Sequence, residues 1–125
     1  MTKGYQANRE HQEAVSLFGK TISKRAGFKC EWCGSRDDLR PWEYQPEREP
    51  TREGLALLCG MCRALAGGST AGPHELRSIR NALWSDIPAV AEGAARVLAR
   101  CKETWARDAI EESCIDEQLK AQLLS

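Results

Sequence analysis

Residues Lys29–Tyr44 read KCEWCGSRDDLRPWEY, and this stretch decides how the chain is expected to fold. Cys30 and Cys33 are separated by two residues and are followed at once by Gly34. Glycine tolerates the positive φ angle of a tight metal-binding turn. A second pair of cysteines stands in CGMC, residues 59–62, after 25 intervening residues. Two such pairs at this spacing indicate a metal site, and they are the strongest functional signal in the sequence.

The two pairs predict one structural Zn²⁺. Zinc takes four thiolates in a tetrahedron with Zn–S distances of about 2.3 Å, and a closed set of four leaves no position open for water or substrate. The predicted ligands are Cys30, Cys33, Cys59 and Cys62. The alternatives are reduced thiols that bind no metal and thioredoxin-like redox pairs, but a redox CxxC normally stands alone at the start of a helix in a βαβ unit. The side chains expected to cover the site are Trp32, Trp42, Leu55 and Leu57.

The sequence shows neither a membrane span nor a secretion signal. No apolar run approaches the roughly 20 residues that cross a bilayer, and MTKGYQANREHQEAV lacks an apolar signal core. We therefore expect a cytoplasmic protein with no membrane partner, in which the six cysteines are reduced. Cys101 is expected to act as a small apolar residue on a helix, and Cys114 to lie in a turn.

Charge is balanced over the whole chain but not along it. The 18 Lys and Arg equal the 18 Asp and Glu, whereas a dedicated nucleic-acid binder usually has a basic excess. One basic stretch without acids lies between residues 20 and 29, and it contains Lys20, Lys24, Arg25 and Lys29. This stretch is either a solvated helix face and turn or an interaction surface.

The first part of the chain, residues 1–65, is predicted to hold a helix and the cysteine module. Apolar residues recur at helical spacing over 6–24 and place Phe18 on the packed side. Residues 39–44 and 55–58 are predicted to form a short hairpin around a Pro-rich charged loop.

Residues 66–72 read AGGSTAG and predict a flexible linker to a helical region, residues 73–125. Pro73 and Pro88 are suited to the first position of a helix. From Ile87 to Trp105 apolar residues repeat every three or four positions, which predicts one helix of about five turns. The apolar face of this helix, which we call the seam, is expected to pack within the chain or against a second copy in a homo-oligomer. A last helix is predicted over residues 116–124 with Asp116 as its N-cap.

Two tryptophans in the helical region allow two interpretations. Trp84 in WSDIP is expected either to bury its ring at a corner between two helices or to form an exposed interaction surface with Trp105. Lys24, Arg25, Lys29, Trp84 and Trp105 are therefore the candidate interaction residues.

Residues 23–65 resemble the treble-clef frame of HNH-type endonucleases, in which a basic turn leads to CxxCG, a hairpin and a second CxxC at a short helix. Active members carry histidines at the end of the first strand and near the start of the helix. The matching positions, 40–44 and 63–64, contain no histidine, and His11 and His74 lie outside the frame in sequence. The resemblance thus implies a retained zinc frame whose general base is missing.

The chain also resembles PhnA-type proteins, named for alkylphosphonate-utilisation operons. The residues that carry this resemblance are the two CxxC pairs, Asn81–Val90 (NALWSDIPAV), Arg96, Leu98, Trp105 and Cys114–Glu117. It implies a zinc-ribbon-like N-terminal part joined to a C-terminal domain. Members of the better-known branch often end in a small β-barrel-like domain, whereas this chain is predicted to end in helices.

We predict an α-rich fold with a small zinc-stabilised β-hairpin, built as a treble-clef or zinc-ribbon module plus C-terminal helices. The predicted function is that of a non-enzymatic, zinc-binding adaptor for protein or nucleic acid. The alternative is a metal-dependent hydrolase, either an HNH-like nuclease or a phosphonate-related enzyme. The predicted closed thiolate site does not favour this alternative, because hydrolysis requires an open metal position and a nearby base.

Overall fold

The computed structural model describes the backbone of residues 2–125 and the side chains from Arg9 onward. The first helix, α1, spans Thr2–Arg25 and so contains the whole of the predicted helix. It ends in a Schellman motif, in which the N–H groups of Gly27 and Phe28 donate to the carbonyls of Lys24 and Ser23 at 3.1 and 2.9 Å. Gly27 has a φ of 65°, as the left-handed end of such a motif requires.

The hairpin is present as predicted. Strands β1, Arg40–Glu43, and β2, Leu55–Leu58, pair antiparallel with Arg40 opposite Leu58. All of β2 is buried, because successive side chains point to opposite faces and both faces are covered.

The expectation that Leu55 and Leu57 cover the cysteine site is wrong. They pack with Ile22 of α1, whereas Ala56 and Leu58 join the cluster that contains the cysteines. The period of two along the strand accounts for the division, since alternate residues face opposite sides.

The remaining elements are short helices. Helix α2, Gly60–Ala66, follows β2 and leads into the irregular segment 67–72. The chain then continues through α3, Pro73–Arg77, a 3-10 helix, Arg80–Trp84, α4, Pro88–Ala99, α5, Thr104–Glu112, and α6, Glu117–Leu124. The predicted starts at Pro73 and Pro88 are confirmed. Asp116 caps α6 by accepting a 3.1 Å hydrogen bond from the Leu119 N–H.

The prediction of one helix from Ile87 to Trp105 is wrong. Helix α4 ends at Ala99, and the N–H groups of Arg100 and Cys101 bond to carbonyls three residues back, which tightens the last turn. Helix α5 then folds back and packs on α4. The reversal buries the apolar face of α5, which a straight continuation would leave in water.

One hydrophobic cluster runs through the cysteine module and the C-terminal helices. Trp32, Leu58 and Leu65 belong to it together with Leu83, Leu98 and Ile110. The structure is thus helix-rich, about 54% helical, with a two-stranded hairpin. Within residues 2–125, no helix combines the length and apolar character needed to cross a membrane.

Candidate metal centre

The first cysteine pair lies in a tight turn shortly after α1. The Cys30 N–H donates to the Ser35 carbonyl at 2.7 Å, and the Gly34 N–H donates to the Cys30 carbonyl at 2.9 Å. Gly34 has a φ of 83°, the conformation expected for it from the sequence. The turn places Cys30 and Cys33 on one side of a knuckle.

The second pair lies where β2 gives way to α2. Cys59 is the N-cap of α2, and its Sγ accepts a hydrogen bond from the Cys62 N–H at 3.4 Å. The end of β2 therefore positions the Cys59 thiol, and the first turn of α2 positions the Cys62 thiol. Cys62 is fully buried and Cys59 nearly so.

The four thiols converge as predicted. The Sγ atoms of Cys30, Cys33, Cys59 and Cys62 all lie within 4.8 Å of one another. Ligands at about 2.3 Å in a tetrahedron stand about 3.8 Å apart, and the Cys33 and Cys59 sulfurs are 3.6 Å apart. The donor set and its spacing fit a closed tetrahedral ion that favours sulfur. Among the described residues, no other group of three or more His, Cys, Asp or Glu side chains is arranged to hold an ion.

The pKa values of Cys30, Cys33 and Cys62 are shifted in different directions. A hydrogen bond from the Cys62 thiol lowers the pKa of Cys30 to about 4, and the same bond raises the pKa of Cys62. Burial raises the pKa of Cys33 to about 11. One thiolate is therefore already present near neutral pH, whereas at least two of the thiols must lose protons before they act as ligands.

An ion pair behind the first knuckle joins three parts of the chain. Arg25 at the end of α1 bonds both oxygens of Glu31, with Nε and Nη2 at 3.0 and 2.6 Å. It also donates to the carbonyls of Arg52 and Leu55. Glu31, inside the first CxxC, accepts in turn from the Leu57 N–H at 2.9 Å. This pair was not predicted from the sequence, where its one signal is a charged residue inside the knuckle.

A second bridge holds the loop that follows the first knuckle. Arg63 Nη2 donates to the carbonyl and to Oδ2 of Asp38, both at 2.6 Å. The hydrogen bond from Arg63 holds the pKa of Asp38 below its usual range. Asp38 adopts a φ of 48°, which Asp tolerates better than most residues. Arg63, which follows Cys62, thus ties α2 to the loop between Gly34 and β1.

Aromatic side chains connect the module to α4. Trp32, 3% exposed, meets Trp42 edge-on with ring centroids 5.2 Å apart. Both rings lie against Gly93, where an added Cβ would stand 2.8 Å from Trp32 and 2.9 Å from Trp42. Tyr44 extends the row by accepting from Arg96 Nε at 2.8 Å and donating to Glu92 at 3.1 Å. The prediction that Trp32 and Trp42 pack beside the cysteines agrees with their place in the same cluster.

The candidate interaction residues do not form one surface. Lys24 and Lys29 are exposed, whereas Arg25 is occupied by the internal bonds described above. Lys29 and Trp84 line one groove of about 530 Å³. Trp84 is 38% exposed under the Arg80 guanidinium, so its ring is neither a buried corner nor a free surface. Trp105 is partly buried against the main cluster beneath Arg77.

The predicted oligomer seam is covered by the chain itself. Ala91, Ala94 and Leu98 are buried within the main cluster. The homo-oligomer stays a prediction without an exposed seam on α4 to support it.

One histidine lies against the frame in space although it is distant in sequence. His11 of α1 forms a hydrogen bond through Nε2 with Oε1 of Glu43, the last residue of β1. Glu43 was assigned no role in the sequence analysis, because the two residues are 32 positions apart. His74 is exposed on α3.

No protein-family model matches the chain, and no curated protein or solved structure shows significant similarity to it. The resemblances to PhnA-type proteins and to the HNH frame therefore stay predictions.

Proposed function

We propose that the protein is a non-enzymatic zinc-binding module that serves as an adaptor for protein or nucleic acid. The observation that carries the proposal is the convergence of four cysteine Sγ atoms within 4.8 Å. The four thiolates would hold one structural Zn²⁺ and fill its coordination shell. The ion would stabilise the small hairpin, as metals do in modules that have too few apolar residues of their own.

The order of elements supports a treble-clef assignment. A knuckle precedes the hairpin, and the second pair opens α2, with Cys59 as its N-cap. A PhnA-like relationship is proposed on the sequence motifs alone. Because such a site requires reduced thiols, we propose a reducing compartment such as the cytoplasm.

The contacts around the site suit a structural ion. The Cys62 N–H donates to Cys59 Sγ, which fixes the position of that sulfur. Glu31 and Arg63 hold the two knuckles through ion pairs with other parts of the chain. These residues orient the ligands, and none of them presents a base to an open metal position.

A metal-dependent hydrolase remains the second candidate because of one observation. His11 lies against Glu43 at the end of β1, the place where the HNH resemblance implies a histidine base. A carboxylate bonded to one ring nitrogen can orient a histidine so that the other nitrogen acts as a base. Among the described residues, no third His, Cys, Asp or Glu side chain is arranged with this pair to hold an ion.

The two candidates are separated by metal content and by cleavage. Native and denaturing mass spectrometry of the purified protein should find one zinc per chain, and incubation of DNA or RNA with Mg²⁺ or Mn²⁺ should leave it intact. Two metals per chain, or cleavage that is lost in His11→Ala but retained in the Arg9→Ala control, would establish the hydrolase instead. A chain that folds without any metal would overturn the structural zinc site.

A further inference from the structure

A groove lies between α1 and the hairpin on the side away from the cysteines. It has a volume of about 580 Å³ and an apolar floor formed by Leu39, Pro41 and Leu57. Ser16, Lys20, Ser23 and Lys24 of α1 form one wall, and Phe28 stands at its end. We call this the lysine groove. Gly19 of α1 lines the groove opposite Pro41, and its lack of a side chain leaves room between the helix and the hairpin.

The lysine groove is positively charged in a chain with no net charge. None of its lining residues is acidic. Lys20 and Lys24 take part in no ion pair among the described side chains, and the nearby Lys29 is likewise exposed. Arg25, the remaining basic residue of this stretch, is engaged with Glu31. Of the three exposed lysines of this stretch, Lys20 and Lys24 thus lie on the groove wall.

Phe28 occupies an unusual backbone conformation for its residue type. Its φ is 58°, a region that a bulky side chain rarely adopts, and its side chain is 61% exposed. Burial of the ring does not offset the strain, because most of the ring faces solvent. Strained backbone is found preferentially at ligand-binding and active sites, and Phe28 lines the same groove as two lysines that form no ion pair among the described side chains.

We propose that the lysine groove binds a single strand of nucleic acid, with phosphates on Lys20 and Lys24 and an unstacked base on the Phe28 ring. The proposal deepens the adaptor function and rests on it, since the zinc knuckle begins two residues after Phe28. Lysines along a groove and a free aromatic face are what single strands require, and a duplex offers no unstacked base.

An acidic peptide is the competing partner, and the strand chemistry disfavours it. A peptide that adds to the sheet needs backbone donors along the strand edge. Pro41 lies within β1 and provides no N–H. An acidic peptide would also leave the exposed Phe28 ring without a stacking partner.

The test measures, by fluorescence anisotropy, how tightly the zinc-loaded protein binds fluorescein-labelled dT15 at salt concentrations from about 50 to about 200 mM. Over this range salt strongly screens contacts between lysines and phosphates. With two phosphate contacts, the slope of log K against log salt should be about −1.4. Lys20→Glu with Lys24→Glu should weaken binding roughly tenfold or more and flatten this slope. The matched control is Arg48→Glu with Lys102→Glu, which makes the same charge change at exposed residues outside the groove.

The aromatic contact is tested by Phe28→Gly. Glycine accepts the positive φ, so the urea midpoint should be unchanged or higher while affinity falls by about 5- to 150-fold. Phe28→Tyr keeps the ring and should bind within about twofold of the wild type. A loss of binding together with intact folding cannot then be attributed to unfolding.

Three results overturn the inference: no saturable binding, binding unchanged in both the lysine and the Phe28→Gly variants, or equal competition by poly-glutamate. In each case a chain with one zinc and no nuclease activity would leave the proposed adaptor function standing. Cleavage of the oligonucleotide would instead remove that function, whatever the groove variants do.

Discussion

Arg25 shows how a single side chain can have a different role in space from the one that its sequence context indicates. By sequence it belongs to a basic stretch, yet it is 23% exposed and forms an ion pair with Glu31, which is 8% exposed. Arg25→Ala should lower the free energy of unfolding by roughly 3 kcal/mol, because removal of one partner leaves the other charge buried. Urea denaturation of the zinc-loaded variant measures the loss.

Arg9→Ala is the matched control for Arg25→Ala. Arg9 also pairs with a glutamate, Glu13, but the two side chains are 69% and 63% exposed. An exposed pair one helical turn apart contributes at most about 0.5 kcal/mol. Equal losses in the two variants would show that the Arg25 pair contributes no more than a surface contact.

The cysteine protons make metal affinity depend on pH. In the metal-free protein at pH 7, Cys33, with a pKa raised to about 11, and Cys62, whose pKa is also raised, hold their protons. Cys30, with a pKa of about 4, does not. Zinc binding would displace at least two protons, so log affinity should rise by about two or more for each pH unit near neutrality and fall as the solution is acidified.

Competition with a chromophoric chelator across the neutral range measures this slope. Cys114→Ser should leave the slope unchanged, since Cys114 is exposed and lies outside the cluster. A slope of one or less would mean that the raised pKa values of Cys33 and Cys62 do not describe the metal-free protein.

At the scale of elements, α4 approaches the hairpin so closely that only glycine fits at one position. Gly93→Ala gains about 1 kcal/mol of helix propensity. The added methyl would lie within 3.0 Å of the Trp32 and Trp42 rings, and such overpacking costs about 1–3 kcal/mol. Because both rings are held in the aromatic row, we expect a net loss of up to roughly 2 kcal/mol.

Gly19→Ala provides the opposite expectation within the same protein. Gly19 is also helical, but the nearest atom to an added Cβ is Pro41 Cγ at 3.8 Å, an ordinary contact. This variant should be more stable than the wild type by up to about 1 kcal/mol. Thermal or urea unfolding of the two variants, measured in parallel, compares their stabilities with that of the wild type. If both substitutions stabilise the protein, α4 can move away from the Trp32 and Trp42 rings.

Short-range sequence signals predicted the helices and strands, whereas the contacts between these elements could not be predicted from such signals. Pro73 and Pro88 set helix starts and Asp116 set a cap through bonds made within a few residues, so the sequence contained the necessary information. The break after Ala99 depends on where α5 packs, and an uninterrupted apolar period cannot reveal it. The partner of His11, 32 residues away, was hidden for the same reason.

At the scale of the whole molecule, the convergence of the four cysteines was predictable and the continuity of the core was not. CxxC spacing encodes a local turn, and two such turns can share one ion. The glycine-rich segment 66–72 predicted a boundary, yet buried residues on both sides of it form a single cluster. Small side chains along α4, such as Ala91, Ala94 and Ala95, allow the two parts to pack closely.

This continuity predicts the outcome of metal removal. Zinc adds roughly 10 kcal/mol or more to the folding of small zinc modules, which is comparable to the total stability of about 5–15 kcal/mol of a typical domain. Leu58 and Leu65 beside the ligands pack in the same cluster as Leu98 and Ile110. A chelator should therefore unfold the C-terminal helices together with the module. Helical circular dichroism and tryptophan fluorescence should change in one coincident transition, and re-addition of zinc should reverse both. Loss of fluorescence alone, with helicity retained until a second transition, would instead mean that residues 73–125 fold independently and that the shared cluster does not couple the two parts.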